Sequence, residues 1–169
     1  MAVDIRAAMR DDASAIAEVH VASWRSAYRG LIDDAYLDAL TPAHRLEMWS
    51  SWFESRDPDV LLLVGLAEGE IVGFLEGGRA ESTDDACAEI QALYVLPAWT
   101  GNGIGSALLD AAVRSFRSSG FARAVLWVLS TNAGARRFYE RAGWRADGIE
   151  DTYEIDGVRY PTMRYATEF

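Results

Sequence analysis

Three glycines at alternate positions, Gly101, Gly103 and Gly105, form the part of this sequence best suited to bind an anion. An apolar stretch ending at Val95 precedes them and an amphipathic stretch follows, which predicts a strand-to-helix turn. Glycine has no Cβ and lets the backbone approach a ligand closely, and the unpaired N–H groups of the first helical turn point into the same concavity. On this segment alone, a dinucleotide site, another kind of phosphate cradle and a tight turn without a ligand all remain open.

Two common nucleotide-binding motifs do not fit these glycines. A dinucleotide-binding fingerprint follows the first strand of its unit and needs an acid about 20 residues further on. Here a helix and several strands precede the glycines, and the apolar strand at 122–128 is followed by Leu-Ser-Thr-Asn, without an acid. A P-loop needs a lysine, whereas all 16 basic residues of this chain are arginine.

A second motif occupies residues 132–144 and has the sequence Asn-Ala-Gly-Ala-Arg-Arg-Phe-Tyr-Glu-Arg-Ala-Gly-Trp. Together with the glycine loop it resembles the GNAT acetyltransferase superfamily, whose pyrophosphate-binding motif and second cofactor motif have this order and spacing. The resemblance is strongest over residues 89–144, and the run from His20 to Leu31 is similar to many small bacterial members more loosely. Thr100 departs from the pattern, because the family usually has Arg or Gln there to help hold the phosphates.

The resemblance implies an α/β fold: a mixed, mostly antiparallel sheet flanked by helices on both faces, with splayed central parallel strands. It also implies acetyl-CoA as the cosubstrate, with its pantetheine arm paired to the backbone of Leu93, Tyr94 and Val95 as an added strand would be. Asn132 opens the next helix and can be a helix cap, a cofactor contact or both. The residues implied to bind the pyrophosphate are Gly101, Asn102, Gly103, Ile104, Gly105 and Ser106.

Tyr139 is the candidate proton donor of such a reaction. Acetylation of an amine requires a neutral amine, a polarised carbonyl, and a proton or hydrogen bond for the departing thiolate. Tyr139 lies two turns into the helix that begins at Asn132, and the family pattern favours a role at the thiolate. The alternative is a core tyrosine whose hydroxyl binds a backbone carbonyl.

Glu89 is the candidate general base, because some histone-acetylating members of the family place a catalytic glutamate at this spacing. It stands four residues before Leu93 on one strand, so strand alternation predicts that both side chains project from the same face. Burial in the sheet would raise the pKa of its carboxyl toward neutrality. The alternatives are an edge-exposed glutamate, a salt bridge, or a water chain in place of a base. Trp127 occupies the position that carries the base in other members.

The rest of the sequence supplies the elements that position these residues. Alternation and apolar runs predict strands at 3–6, 60–64, 71–75, 89–95, 121–128, from 144 onward and at 158–165. Helical spacing predicts helices from Asp11 and Asp12 to Arg25, around 36–40, from Thr41 to Glu54, after Gly103, and from Asn132 to Gly143. The strands at 89–95 and 121–128 should be parallel neighbours, because a helix separates them. Residues 81–85 are predicted to form a polar loop.

The charge of the chain is distributed unevenly. Residues 1–90 hold 7 arginines and 18 acids, a net charge of −11, whereas residues 100–145 hold 7 arginines and 2 acids, a net charge of +5. This asymmetry predicts that the C-terminal part faces an anionic cofactor and that the N-terminal part surrounds a cationic acceptor. A solvated acidic surface with ordinary helix-face arginines is the alternative. The overall net charge of −10 disfavours nucleic acid as a partner.

Aromatic residues are numerous in the predicted N-terminal helices. They can pack the core, wall a pocket for a cationic amine, or do both. The two histidines, His20 and His44, are expected to be partly exposed helix residues rather than catalytic ones. The aromatic residues in question are Trp24, Tyr28, Tyr36, Trp49 and Trp52.

Composition limits the class of protein. A length of 169 residues suits a single domain spanning 1–169, and half of the residues are hydrophobic. The sequence has no 18-residue apolar run, its N-terminus is typical of a strand rather than a signal peptide, and the lone Cys87 excludes an internal disulfide. Cys87 should be an inert packing residue in or beside a strand. These features favour a cytoplasmic protein, and no metal site is expected.

The sequence therefore favours an acetyl-CoA-dependent N-acetyltransferase that moves the acetyl group directly to a primary amine. The expected acceptor is a small cationic molecule or a peptide N-terminus, and neither nucleic acid nor a membrane is an expected partner. The alternative is a non-catalytic acyl-CoA-binding sensor or regulatory domain, against which Tyr139 weighs. The resemblance is also consistent with a homodimer formed through the last strands.

Overall fold

The computed structural model describes residues 3–81 and 86–169, and within them it contains seven β-strands and five α-helices. The strands are β1 (Asp4–Ala7), β2 (Leu61–Ala67), β3 (Glu70–Arg79), β4 (Cys87–Val95), β5 (Arg123–Leu129), β6 (Arg145–Ile155) and β7 (Val158–Glu168). The helices are α1 (Ala13–Ala27), α2 (Asp34–Ala39), α3 (Pro42–Glu54), α4 (Ile104–Ser118) and α5 (Ala133–Arg141). Each strand and helix predicted from the sequence is present. Of the predicted polar loop at 81–85, residues 82–85 lie outside the described residues.

The seven strands form one sheet in the order β1-β2-β3-β4-β5-β7-β6. The central pair β4 and β5 is parallel, as predicted, and every other neighbouring pair is antiparallel. The predicted mixed, mostly antiparallel sheet is therefore confirmed. β6 is an edge strand whose residues are exposed along nearly its whole length. The homodimer through the last strands stays a prediction.

Helices cover both faces of the sheet because the strands send apolar side chains alternately to two cores. On one face, Leu108 of α4 packs in a core with Leu63 of β2. On the other face, Ile16 of α1 and Trp49 of α3 pack in a second core with Val64, the next residue of β2. The α1–α3 layer and the α4–α5 layer thus lie on opposite sides of the sheet.

The two central strands separate part way along their length. Backbone pairing of β4 with β5 runs from Cys87 opposite Arg123 to Ile90 opposite Leu126 and then stops. β4 continues to Val95 and β5 to Leu129, so their carboxyl ends diverge. The predicted splay of the central parallel strands is confirmed, and it leaves one side of the last part of β4 without a neighbouring strand.

A β-bulge interrupts β4 at Gln91. Glu76 of β3 lies opposite Ala92, but the next residue, Gly77, lies opposite Ile90, so β4 carries one extra residue. Before the bulge, Ile90 packs in the core with α4, and after it Leu93 packs against that same core. A bulge shifts the alternation of side chains by one residue. Glu89 and Leu93 therefore project from opposite faces, and the prediction that they share a face is wrong.

The caps of the helices follow the sequence with one exception. Thr41 accepts a hydrogen bond from the His44 N–H at 3.3 Å and precedes α3, as predicted. Asp12 precedes α1 but does not bind its N–H groups, since a short 3-10 turn comes first. Its carboxylate accepts hydrogen bonds from the Arg6 guanidinium at 2.7 and 2.9 Å and from the Met9 N–H at 2.7 Å. Asp12 thus ties the start of α1 to β1.

Cys87 begins β4 and is buried, so it packs in a strand as expected. Within residues 3–81 and 86–169, no helix combines the length and the apolar character that a bilayer crossing requires. In the same part of the chain, no three His, Cys, Asp or Glu side chains come together in a way that could hold a metal ion.

Candidate active site

The glycine-loop cavity lies where β4 and β5 separate and has a volume of about 690 Å³. Its walls come from the end of β4, the loop before α4, one face of α5 along its length, and α1. It brings together most of the residues that the sequence predicted to bind the cofactor. Those residues are Leu93, Tyr94, Val95, Gly101, Gly103, Gly105, Ser106 and Asn132, and Tyr139 lies with them.

The glycine loop presents unpaired backbone donors to this cavity. Gly101 and Gly103 have φ angles of +80° and +83°, in the left-handed region that favours glycine, and Gly103 is the residue that precedes α4. The first intrahelical bond runs from the Ala107 N–H to the Gly103 carbonyl. Among the described residues, no acceptor pairs with the N–H groups of residues 103–106. These groups carry the partial positive charge of a helix N-terminus.

Two predicted loop residues are absent from the lining of the cavity. The side chain of Ile104 is buried in the core beneath α4, so only its backbone N–H belongs to the loop. Asn102 is exposed, and its amide lies 3.5 Å from the Thr100 carbonyl. Thr100 donates its hydroxyl to the Pro97 carbonyl at 2.8 Å, so this side chain stabilises the turn before the loop. Arg141 of α5 lines the same cavity and is a cation that the sequence analysis did not single out.

Asn132 caps α5 with its side chain. Its Oδ1 accepts a hydrogen bond from the Ala135 N–H at 3.1 Å, so the helix-cap interpretation is confirmed. Asn132 also lines the glycine-loop cavity, so it can cap α5 and still contact a ligand in that cavity. Gly143 follows the end of α5 with a φ of +88°, the position where the sequence predicted the helix to end.

Tyr139 is buried on the inner face of α5. Its ring packs against Phe138, Trp144 and Tyr165, with centroids 5.0 to 6.4 Å apart. Its hydroxyl has no hydrogen-bond partner among the described residues, and the predicted alternative, a hydroxyl bound to a backbone carbonyl, is not found there. Burial raises the pKa of this phenol above its ordinary value, so the hydroxyl keeps its proton at neutral pH.

A second cavity, the aromatic cavity, opens on the α1–α3 side and has a volume of about 530 Å³. The helices contribute Trp24, Tyr36 and Trp49 to its wall, Tyr28 lies just after α1, and the sheet contributes Tyr94 and Trp127. Trp52, predicted with this group, lies outside the lining and donates its indole N–H to Glu76 at 2.8 Å.

His20 also lines the aromatic cavity, and the expectation that it is partly exposed is wrong: it is 7% exposed. α1 packs directly onto the sheet here, so the ring is covered by Trp24, Trp49, Phe74 and Tyr94. Its Nδ1 accepts a hydrogen bond from the Trp49 indole at 3.2 Å. Burial lowers the pKa of His20 to about 4, so the imidazole is neutral at pH 7. His44, by contrast, is exposed as expected.

Glu89 lines the aromatic cavity because of the bulge at Gln91. It is partly buried, and burial raises the pKa of its carboxyl, with a smaller contribution from the negative charge of Glu81. Arg164 acts in the opposite direction, but its guanidinium is paired with Asp147 at 2.7 Å. A carboxyl of this kind can accept a proton closer to neutral pH than an exposed one.

Sequence reasoning missed three charged residues of the aromatic cavity: Glu76, Asp151 and Arg45. Burial raises the pKa of Glu76, and the hydrogen bond from Trp52 partly offsets that effect. The only sequence signal for Glu76 is an acid that directly follows the apolar run 71–75. The positions of Asp151 and Arg45 depend on how β6 and α3 pack, which no local pattern encodes.

The two cavities meet at Tyr94, which lines both of them. Its hydroxyl lies 3.1 Å from the Tyr28 hydroxyl, so a hydrogen bond ties α1 to β4 at this junction. The junction falls just beyond the point where β4 and β5 stop pairing. One cavity with unpaired N–H donors and one with aromatic and acidic walls thus share Tyr94 as a common wall at the splayed end of β4, an arrangement suited to group transfer between two bound molecules.

Comparison with known proteins agrees with this geometry. The model of the acetyltransferase (GNAT) family matches residues 15–144. An uncharacterized N-acetyltransferase of Bacillus subtilis, YuaI, is 30% identical over 158 residues, which are 93% of this chain and 88% of the relative. The spermidine N(1)-acetyltransferase of Thermoplasma acidophilum is 26% identical over 161 residues, 94% of this chain and 96% of the relative.

A solved structure has the same fold. The crystal structure of the PaiA N-acetyltransferase of Thermoplasma acidophilum, in complex with coenzyme A, superposes with a TM-score of 0.75 at 22% identity and covers all of both chains. The fold and the matched residues define an acetyltransferase that uses acetyl-CoA as its cosubstrate. The chain belongs to the acetyltransferase (GNAT) family. Family membership favours an enzyme over the non-catalytic binding domain that the sequence had left open.

Proposed function

We propose that this protein transfers the acetyl group of acetyl-CoA directly to a primary amine of a small cationic molecule or a peptide N-terminus, and that residues 1–169 act as one N-acetyltransferase domain. In this proposal acetyl-CoA occupies the glycine-loop cavity and the acceptor occupies the aromatic cavity. The observation that carries it is the junction at Tyr94, which lines both cavities. Two reactants bound on either side would meet there without leaving the protein.

The backbone of the loop is the proposed pyrophosphate site. The N–H groups of residues 103–106 have no acceptor among the described residues and lie at the N-terminus of α4, which favours an anion. Gly101 and Asn102 contribute the turn that leads into this N-terminus. The splay leaves the backbone at Leu93–Val95 without a strand on its β5 side, which suits pairing with an extended pantetheine chain. Asn132 and the cation Arg141 complete the proposed contacts.

Tyr139 is the proposed donor to the departing sulfur. The amine lone pair forms the new C–N bond, the C–S bond breaks, and the electron pair of that bond stays on sulfur. A thiol has an ordinary pKa of about 8.5, whereas burial raises the pKa of the Tyr139 phenol. Full proton transfer from the phenol to the thiolate is therefore unfavourable. The hydroxyl therefore acts mainly by donating a hydrogen bond to the developing charge. Its lack of a partner in the described residues leaves it available.

Glu89 is the proposed base that accepts the proton lost by the amine, directly or through a water. Its pKa, raised by burial, gives a sign to the pH dependence: the active carboxylate form is lost as the pH falls through that raised pKa.

We expect Glu89→Gln to lower kcat/KM at neutral pH about tenfold and to remove this acidic limb from the pH profile. Steady-state rates between pH 5 and 9 measure both. Glu70→Gln, at an exposed position of β3, is the matched control and should match the parent. If the pH profile of Glu89→Gln matches that of the parent, the amine loses its proton to water and Glu89 is not the base.

The charges of the aromatic cavity support a cationic acceptor. Glu76, Glu89 and Asp151 line it together with a single arginine, so acids outnumber bases among its described residues. Aromatic walls favour ammonium groups through cation–π attraction. The relative in Thermoplasma acidophilum that is named for spermidine is consistent with this class of amine.

An amine panel with a thiol-release readout tests the proposed function. We expect cationic amines to give higher kcat/KM than glutamate or aspartate, and we expect kcat/KM for cationic amines to fall as salt is added. Exposed charges are screened over about 8 to 10 Å at physiological ionic strength, so the salt effect reports steering by the acids. Glutamate as the best acceptor, or a cationic acceptor whose rate is insensitive to salt, would contradict the cationic class.

A further inference from the structure

Arg45 is the one arginine that lines the aromatic cavity in the described part of the chain. It belongs to α3, which also contributes Met48 and Trp49 to the lining. Neither the sequence motifs nor the acetyl-transfer chemistry requires a positive charge at this position. A cation in a pocket of acids and aromatic rings calls for its own explanation.

The guanidinium of Arg45 has no anionic partner among the residues that the structure describes. Its Nε is shielded from solvent and makes no hydrogen bond to them. Its Nη1 contacts only the Met48 sulfur, a weak acceptor, at 3.7 Å. No acid of residues 3–81 or 86–169 pairs with it, whereas Arg6 and Arg164, for example, are each paired at 2.7 Å. Nε is closed to a ligand as it is to solvent, so the Nη groups, which have no carboxylate partner among the described residues, are the donors that remain to bind one.

Neighbouring residues hold Arg45 in place and leave its charge uncompensated. The guanidinium carbon lies 5.5 Å from the centre of the Trp24 ring, a cation–π contact that fixes its position. The nearby His20 is neutral and already accepts the Trp49 indole N–H through Nδ1. Glu76 is held by the Trp52 indole N–H rather than by Arg45. The site is thus a fixed guanidinium with unused donors inside a pocket that also contains carboxylates.

We propose that Arg45 binds the carboxylate of the acceptor, and that the acceptor is an amino acid with a second cationic group, of the lysine or ornithine type. The inference rests on the proposed function, because it assumes that the aromatic cavity receives the acceptor amine. The planar guanidinium fork matches a carboxylate through parallel hydrogen bonds. Glu76, Glu89 and Asp151 remain for the two ammonium groups, so a ligand of this class pairs its carboxylate with the arginine and its ammonium groups with the acids of the cavity.

Matched pairs of amines that differ only in the carboxylate test this inference. Lysine is compared with cadaverine, and ornithine with putrescine, each at saturating acetyl-CoA. We expect kcat/KM for the amino acid to exceed that for its decarboxylated partner by about 10- to 100-fold, the range of a charge-assisted hydrogen-bond pair. A diamine accepted as well as its amino acid, or better, would overturn the inference but leave the proposed function intact. If no amine of the panel gives thiol release, both the inference and the proposed function are overturned.

Variants at Arg45 assign the preference to this side chain. In Arg45→Gln we expect kcat/KM for lysine to fall at least tenfold further than that for cadaverine, and Arg45→Lys should keep part of the preference. Arg10→Gln, which removes an exposed arginine that faces Glu54 at 3.9 Å, is the matched control and should keep the full preference. Equal losses for lysine and cadaverine in Arg45→Gln would mean a structural role and would overturn the inference. The ratio in the unmodified protein decides the substrate class even if a variant does not fold.

Discussion

Replacing Gly103 by valine will abolish the rise in melting temperature that acetyl-CoA gives the unmodified protein. Gly103 has a φ of +83°, where a β-branched residue is strained, and it precedes the first turn of α4. A Cβ at this position meets no protein atom within 4 Å, so the valine side chain would enter open space. In the proposed complex that space belongs to the pyrophosphate. Loss of two charge-assisted N–H contacts corresponds to an affinity loss of about 100-fold or more.

The chain offers a matched control for the strain itself. Gly157, in the turn between β6 and β7, has a φ of +78°, and a Cβ there would likewise meet no protein atom within 4 Å. Gly157→Val should cost similar stability and leave the acetyl-CoA shift of the melting temperature unchanged. Thermal melts with increasing acetyl-CoA compare the two variants directly. A folded Gly103→Val protein that binds acetyl-CoA normally would falsify the assignment of the loop.

Replacing Tyr139 by phenylalanine will lower kcat by up to roughly 100-fold, with little change in acetyl-CoA affinity. The substitution keeps the ring contacts with Phe138 and Trp144 and removes only the hydroxyl. Because that hydroxyl has no partner in the described residues, its removal leaves no protein group unsatisfied. Stability should therefore be almost unchanged, and the loss should appear in the chemical step. Single-turnover rates of thiol release, measured beside melting curves, separate the two quantities.

Tyr165 provides the complementary control. Its ring lies 6.4 Å from that of Tyr139, and its hydroxyl donates to Glu140 at 2.7 Å and accepts from Arg136 at 3.3 Å. Tyr165→Phe should cost stability, by about 1 kcal/mol for the lost bonds, and leave kcat near the parental value. If Tyr139→Phe turns over at the parental rate, the thiolate leaves without a tyrosine and Tyr139 is a packing residue.

The elements that carry the site could be predicted from the sequence because their signals are local. Thr41 and Pro42 start α3, Asn132 caps α5 and Gly143 ends it, each through contacts within a few residues. The order of the strands around β4 and β5 follows from the helix that connects them. The grouping of Tyr139 with the loop glycines in one cavity follows from the same connectivity.

The features that could not be predicted depend on contacts between distant segments. The bulge at Gln91 lies beside Gly77 of β3, where only glycine fits: a Cβ on Gly77 would lie 2.7 Å from the Glu89 carbonyl oxygen and 3.0 Å from the Phe116 ring. Regular strand alternation assumes that no extra residue lies between Glu89 and Leu93. The sequence alone does not show the bulge, so this rule assigns Glu89 to the wrong face. The burial of His20 likewise requires the packing of α1 against the sheet.

The short pairing of β4 with β5 divides the sheet into two half-sheets, β1–β4 and β5–β7, joined by a seam of four residue pairs. Apart from the four pairs that join β1 to β2, every other neighbouring pair of strands has a longer ladder, so backbone pairing is shortest, within the interior of the sheet, at this seam. A ligand that lies in the open end of the seam contacts both half-sheets. We expect its binding free energy to add to the cohesion between the half-sheets, so that the bound protein is stiffer than the free one along this seam.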